Sequence, residues 1–170
     1  DVPKKKATIF AEDAAGNVTE QALYYTLRNV RIRKKRVNVT DSLIERTVVP
    51  LLGRGPSPGV SFKDLFLEVN RGMRQKNADK IKEVCSTSID SMLWDLPFHQ
   101  LSNSKVEANF ADERTYIYQD EVIDHAFHLG YDLAVTRNYP IEAANSGVVA
   151  FGDDLGIYGM TVIIDHGLGL

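Results

Sequence analysis

The chain has 170 residues, of which 44% are hydrophobic and 25% are charged, a balance typical of a globular protein rather than of a disordered chain. Its formal net charge of -3 excludes the overall positive field that nucleic-acid binding requires. The single cysteine, Cys85, excludes an intrachain disulfide and a four-cysteine zinc site.

The two ends of the sequence predict a longer protein. The sequence begins at Asp1 without a methionine, residues 1–6 lack the apolar core of a signal peptide, and the last residue, Leu170, closely follows a strand-like run. We therefore expect a targeting segment or a membrane anchor, where one exists, to precede Asp1. No run approaches the roughly 18 consecutive apolar residues of a transmembrane helix.

The first forty residues alternate between polar and apolar types, which predicts strands at 7–10, 23–27 and 30–39 with a turn at 13–17. The segment 12–18 resembles the last hairpin of bacterial immunoglobulin-like modules. Such a sandwich needs about seven strands. Residues 1–40 are therefore predicted to be a β region at the edge of such a module.

A basic run, residues 31–36, lies within this β region and contains five cationic side chains. It could bind an anionic polymer such as nucleic acid or teichoic acid. We favour a simpler interpretation, in which it is the solvated face of an edge strand that is kept charged against aggregation. The aromatic residues of a nucleic-acid platform are absent from the run.

Residues 41–90 have helical periodicity and are predicted to form a helical linker region. Thr40 or Asp41 is expected to cap a first helix that ends at Pro50, and Ser61 is expected to cap a second helix that continues beyond Asn77. Residues 91–170 return to strand patterns separated by turn signals, which predicts an antiparallel β domain. The predicted fold class is α+β.

One pair of residues, His128 and Asp132, has the appearance of metal ligands. If 128–135 is a strand, both side chains lie on one face with Gly130 between them, whose missing side chain leaves room for an ion. Nitrogen and oxygen donors of this kind suit zinc, which in catalytic sites takes three protein ligands and a water. The spacing alone is common by chance, and on spacing alone a hydrogen-bonded His-Asp pair on a sheet face is the better explanation.

Four segments in order carry a more specific signal: Phe110-Ala-Asp-Glu-Arg114, His128-Leu-Gly-Tyr-Asp132, Pro140-Ile-Glu-Ala-Ala-Asn-Ser-Gly-Val148 and Gly156 to Gly167. Together they resemble the first half of the lysostaphin or LytM-type zinc metallopeptidase domain, over roughly residues 95 to 170. The resemblance implies that the family's His-x-x-x-Asp motif, here His128 and Asp132, supplies two zinc ligands. The family's later Tyr-x-His-Leu-like and His-x-His motifs would follow Leu170, so no catalytic residue is expected within this chain.

The remaining candidate residues receive structural roles. On a strand, His125 faces away from His128. His166, at a strand end, contacts either the substrate cleft or its own turn, and His99 is structural or exposed. Arg114 matches an arginine of the family's entry motif only loosely and is expected to be a salt-bridge partner. Cys85 is expected to be a buried helix residue rather than a nucleophile.

The resemblance implies a zinc-dependent endopeptidase that cleaves peptidoglycan cross-link peptides in the periplasm or cell envelope of a bacterium. This chain alone is expected to be inactive and to associate with itself through open sheet edges. Two alternatives stay open: a catalytically silent LytM-like regulator or binding domain, and an extracellular β-rich adhesion or carbohydrate-binding fragment. The residues that follow Leu170 distinguish the first alternative, since an enzyme needs both later histidine motifs.

Overall fold

The structure, a computed structural model, describes residues 7–24 and 31–170. It divides into two compact units, residues 1–32 and 33–170. The first unit is a hairpin, and the second combines helices with antiparallel-rich sheets. The predicted α+β fold class is confirmed.

The hairpin of the first unit comprises β1 (Ala7–Glu12) and β2 (Val18–Leu23), which pair antiparallel. The Asp13 carboxylate closes its turn by accepting hydrogen bonds from the backbone N–H groups of Ala15 and Asn17, both at 2.9 Å. The hairpin was predicted, whereas the part of the predicted second strand beyond residue 24 lies outside the described residues. Membership of an immunoglobulin-like module stays a prediction.

The second unit contains a three-stranded sheet with β3 (Lys34–Val39) at one edge, β5 (Glu113–Tyr118) in the centre and β6 (Glu121–Phe127) at the other edge. The β5–β6 pair is antiparallel, but β3 and β5 run parallel. The alternating pattern predicts residues 34–39 as part of the N-terminal β region, whereas in the structure they pair with β5 of the second unit. The second half of the basic run, residues 34–36, thus lies on an edge strand, as the simpler interpretation expects.

Two short helices follow this edge strand. The Thr40 side chain accepts a hydrogen bond from the Leu43 N–H and so caps α1 (Asp41–Thr47), as predicted. Pro50 was expected to end this helix, but it lies in the first turn of α2 (Val49–Leu52). The first turn tolerates proline because its N–H has no partner in a helix.

A long helical stretch then runs from α3 (Phe62–Leu67) through a π-helical segment (Glu68–Met73) into α4 (Arg74–Cys85). It begins at a capping box, in which Ser61 and Asp64 satisfy one another's backbone N–H groups. The predicted cap at Ser61 and the predicted continuation of the helix are both confirmed. No helix among the described residues is long and apolar enough to cross a membrane.

The core lies where these helices pack against the three-stranded sheet. Ile44 and Leu65 are fully buried, and the rings of Phe66 and Tyr116 lie 5.2 Å apart. Further buried members of the core come from both layers: Val39, Val48, Val69 and Ile123. The core therefore fixes the position of the central strand β5 and of its neighbour β6.

Two further antiparallel pairs complete the second unit: β4 (Lys105–Ala108) with β7 (Asp132–Ala134), and β8 (Val148–Asp154) with β9 (Met160–Asp165). A 3-10 turn, Gly156–Tyr158, joins the last two strands. The buried amide of Asn77 on α4 accepts a hydrogen bond from the Ile157 N–H at 3.1 Å. This bond ties the β8–β9 pair to the long helix.

Candidate metal centre

His128 and Asp132 lie on different elements. His128 follows the last residue of β6, and Asp132 is the first residue of β7. The expectation that both residues project from one strand is therefore wrong. The chain changes partner between them, because β6 pairs with β5 while β7 pairs with β4. A side chain at position 130 would meet nothing within 4 Å, so open space surrounds Gly130, and its role in leaving room for an ion stays a prediction.

The two side chains nevertheless meet. His128 Nε2 lies 3.1 Å from Asp132 Oδ1, and Arg114 Nη2 lies 3.4 Å from Asp132 Oδ2. The imidazole is mostly buried, with 16% of its side chain exposed, whereas the Asp132 side chain is 56% exposed. The pair is thus a partly enclosed nitrogen donor beside an accessible oxygen donor at the junction of two sheets.

The other ring nitrogen of His128 is held by the backbone. Nδ1 lies 3.0 Å from the carbonyl oxygen of Asn109, and a carbonyl only accepts hydrogen bonds, so the tautomer that makes this hydrogen bond carries its proton on Nδ1. The lone pair of a neutral ring then lies on Nε2, which faces Asp132. Histidines that bind metals commonly use this arrangement, in which the far N–H donates to a carbonyl or carboxylate.

One proton cannot satisfy both contacts of the ring. The Asn109 carbonyl and the Asp132 carboxylate are both acceptors, so a neutral imidazole leaves its lone pair facing a negative oxygen. A cation between Nε2 and Oδ1 removes this repulsion, and it is either a second proton or a metal ion. The donor set therefore fits zinc, which binds neutral imidazole and carboxylate.

The turn that presents the Asn109 carbonyl is stabilised by Asp112. The Asp112 carboxylate accepts a hydrogen bond from the Asn109 N–H at 3.1 Å. The backbone carbonyl of Asp112 accepts one from the His128 N–H at 2.9 Å. The Asn109 N–H bond, followed by the Arg33 guanidinium, lowers the pKa of Asp112, although burial acts in the opposite direction. Ala111 adopts a left-handed backbone with φ of 66°.

Sequence reasoning missed this turn. Asn109 and Asp112 carry no metal-ligand signature, and the Arg33 that contacts them lies 79 positions before Asp112 in the chain. A usable signal was the need of a metal-binding histidine for an acceptor at its second nitrogen. The polar residues Asn109 and Asp112, near the junction of two strand-like runs, were candidates for that acceptor.

His125 lies on the face of β6 opposite to this site. Its backbone pairs with Thr115, and its Nδ1 lies 3.3 Å from Thr115 Oγ1. Arg114, the neighbour of Thr115, reaches Asp132 instead, and successive side chains of a strand point to opposite faces. The prediction that His125 faces away is confirmed, as is the salt-bridge role of Arg114.

The remaining predicted residues are His166, His99 and Cys85. His166 follows the last residue of β9, and its Nδ1 is 2.6 Å from the Ser146 carbonyl oxygen while its ring meets the Phe98 ring edge-on at 4.8 Å. The ring thus contacts residues far along the chain, whereas the His166 N–H donates to the Leu170 carbonyl oxygen at 2.9 Å within its own turn. A contact of His166 with the substrate cleft stays a prediction. His99 is exposed, as expected. Cys85 is exposed as well, so its expected burial is wrong.

Within residues 7–24 and 31–170, no group of three or more His, Cys, Asp or Glu side chains is placed to hold a metal ion. The described part of the site therefore consists of two donors and Arg114. No family model and no curated protein matches the chain. The likeness to lysostaphin-type peptidases thus stays a likeness of motifs.

Proposed function

We propose that this chain is part of a zinc-dependent endopeptidase that acts on the cross-link peptides of peptidoglycan in the bacterial periplasm or cell envelope. The observation that carries the proposal is the ring of His128, whose Nδ1 is held by the Asn109 carbonyl while Nε2 faces Asp132 at 3.1 Å. A histidine that is oriented in this way next to a carboxylate has the arrangement of a metal-ligand pair.

His128 and Asp132 would hold the zinc ion. When bound, zinc supplies Lewis-acid catalysis for peptide-bond hydrolysis. The buried imidazole provides a fixed nitrogen donor, and the exposed carboxylate leaves the site open to a substrate from solvent. A third ligand and a general base are implied by the family's Tyr-x-His-Leu-like and His-x-His motifs, in a protein that continues past Leu170.

The contact between Arg114 and Asp132 favours a second candidate function. Arg114 Nη2 lies 3.4 Å from Asp132 Oδ2, so the carboxylate already has a cationic partner of its own. A domain whose carboxylate is neutralised by arginine could keep this geometry without metal. Under this alternative the chain belongs to a catalytically silent LytM-like regulator or binding domain of the cell envelope.

The test compares this chain with a version extended past Leu170 in the native gene. Zinc content is measured by elemental mass spectrometry after dialysis, and hydrolysis is measured as release of soluble peptide fragments from purified peptidoglycan. We expect the extended protein to hold one zinc and to release fragments, and to lose both properties on His128→Ala. We expect the short chain to hold zinc weakly and to release nothing.

The outcomes separate the two candidates. An extended protein that binds peptidoglycan without zinc and without hydrolysis would support the silent domain. Tight zinc binding by the short chain that survives His128→Ala would show that other residues are the ligands. His125→Ala serves as the matched control, because it removes an imidazole three positions away on the opposite face of β6.

A further inference from the structure

Arg33 connects to His128 through two side chains. Its guanidinium contacts Asp112 twice, with Nη2 2.9 Å from Oδ2 and Nε 3.2 Å from Oδ1. The Asn109 amide faces the same group and, with its oxygen toward Arg33, accepts a hydrogen bond from Nη2 at 2.7 Å. Arg33 therefore holds both ends of the turn 109–112.

That turn in turn holds the histidine from two sides. The Asn109 carbonyl accepts from His128 Nδ1 at 3.0 Å, and the Asp112 carbonyl accepts from the His128 N–H at 2.9 Å. Additionally, the Ala111 N–H donates to the His128 carbonyl at 2.7 Å. Both the backbone and the ring of His128 are thus held in position by hydrogen bonds to this one turn.

The backbone of Arg33 is held in place by the sheet. The Arg33 carbonyl accepts a hydrogen bond from the Glu113 N–H at 2.9 Å, which continues the β3–β5 ladder by one step. A planar guanidinium with several donors can contact the carboxylate and the amide together, which an ammonium group cannot reproduce. Only 12% of the Asp112 side chain is exposed, so solvent competes weakly for this contact.

We infer that Arg33 is a positioning residue for the proposed metal centre. Through Asp112 and Asn109 it fixes the carbonyl that keeps the proton of His128 on Nδ1, and this leaves Nε2 directed at Asp132. The assignment extends the site to a residue outside the segment that resembles a peptidase. It rests on the proposed function only where zinc affinity is concerned, since the state of the ring can be measured without metal.

The test reads the His128 ring by long-range proton–nitrogen NMR on the metal-free 170-residue chain at about pH 8.5, above the ordinary titration range of histidine. In the unmodified chain we expect the Nδ1–H tautomer. In Arg33→Ala we expect the ring to shift toward the Nε2–H tautomer, with a loss of zinc affinity of about 10-fold or more, as for other outer contacts of metal ligands. Arg33→Lys should fall between these two.

Two controls separate positioning from stability. Arg36→Ala removes a cation from the same basic run, and Asn77→Ala weakens the fold through a contact with residue 157. Both variants should leave the tautomer of His128 unchanged. If Arg33→Ala does not fold, Arg33→Lys decides, because a shifted tautomer in a folded lysine variant supports the inference and an unshifted one overturns it.

The tautomer measurement and the zinc-affinity measurement test different claims, so each can contradict one claim without the other. A folded Arg33→Ala chain that keeps the Nδ1–H tautomer would overturn the role of Arg33, whatever the zinc result. A shifted tautomer with zinc binding that responds to neither Arg33→Ala nor His128→Ala would uphold the positioning role and count against the proposed zinc site.

Discussion

His128 Nε2 and Asp132 Oδ1 lie 3.1 Å apart across the point where the chain leaves one sheet and joins another. The far nitrogen of the ring, Nδ1, lies 3.0 Å from the Asn109 carbonyl oxygen. The nitrogen that remains for a metal ion is therefore Nε2, which faces Asp132.

Zinc affinity should depend on His128 alone among the histidines of β6 and its end. The reason is that His128 Nε2 faces the Asp132 carboxylate, whereas His125 lies on the opposite face of β6. Calorimetric titration of zinc into the protein extended past Leu170 measures the effect. His128→Ala should abolish zinc binding, and His125→Ala should preserve it. Equal zinc affinity in the two variants would contradict this assignment.

Asp165→Asn should reduce stability at neutral pH, with a difference that shrinks in acid. The Ser88 hydroxyl, followed by the backbone N–H groups of Ile89 and Gly167, lowers the pKa of Asp165 below its model-compound value of 3.8. A carboxylate with a lowered folded-state pKa stabilises the fold above its unfolded pKa and loses that contribution as pH falls through the folded one. Thermal unfolding followed from pH 7 to pH 3 measures the difference. Asp95→Asn, at an exposed position, controls for the lost charge.

Asn77→Ala should lower the free energy of unfolding by about 1–3 kcal/mol, because the partly buried Ile157 N–H loses its acceptor. The loss should concentrate on the β8–β9 pair, which this bond ties to α4. Amide hydrogen exchange should therefore speed up in residues 148–165 more than in β5 and β6. Gln75→Ala, at an exposed position on the same helix, is the matched control, and a uniform change across the chain would contradict the role of Asn77.

Leu65→Ala should destabilise the second unit by about 2–5 kcal/mol, since it leaves a cavity at a fully buried position. Urea denaturation followed by circular dichroism measures the loss. Leu51→Ala removes the same atoms from a side chain that is 42% exposed and should cost far less. Similar losses in the two variants would show that the core lies elsewhere.

The parts of the fold that were predicted correctly depend on local chemistry. The hydroxyls of Thr40 and Ser61 cap helices through N–H groups three residues away, so the signal and its partner are close in the sequence. The first hairpin likewise closes through Asp13 and its neighbours. Pro50 shows the limit of such signals, because proline can either end a helix or begin the next one.

The parts that were missed depend on distant partners. Alternation around Gly130 predicts one continuous strand, and only the pairing of β7 with β4 rather than with β5 shows that the strand is interrupted. For the site, the approach of His128 and Asp132 was predicted by motif, but the acceptor at Nδ1 was not. The turn 109–112 meets His128 where the β5–β6 ladder continues beyond Glu113, and Arg33 reaches that turn only when β3 pairs with β5, which no local pattern indicates.

That parallel pairing also sets the order in which the molecule can assemble. Strands β3 and β5 are separated by the helices and by β4, so their ladder closes a loop of more than seventy residues before it gains any contact. On the ribosome the edge strand must wait for the central strand to emerge. The helices, whose contacts are local, can form during that interval, and the contacts of Arg33 with the turn beside His128 can form only after the long loop has closed.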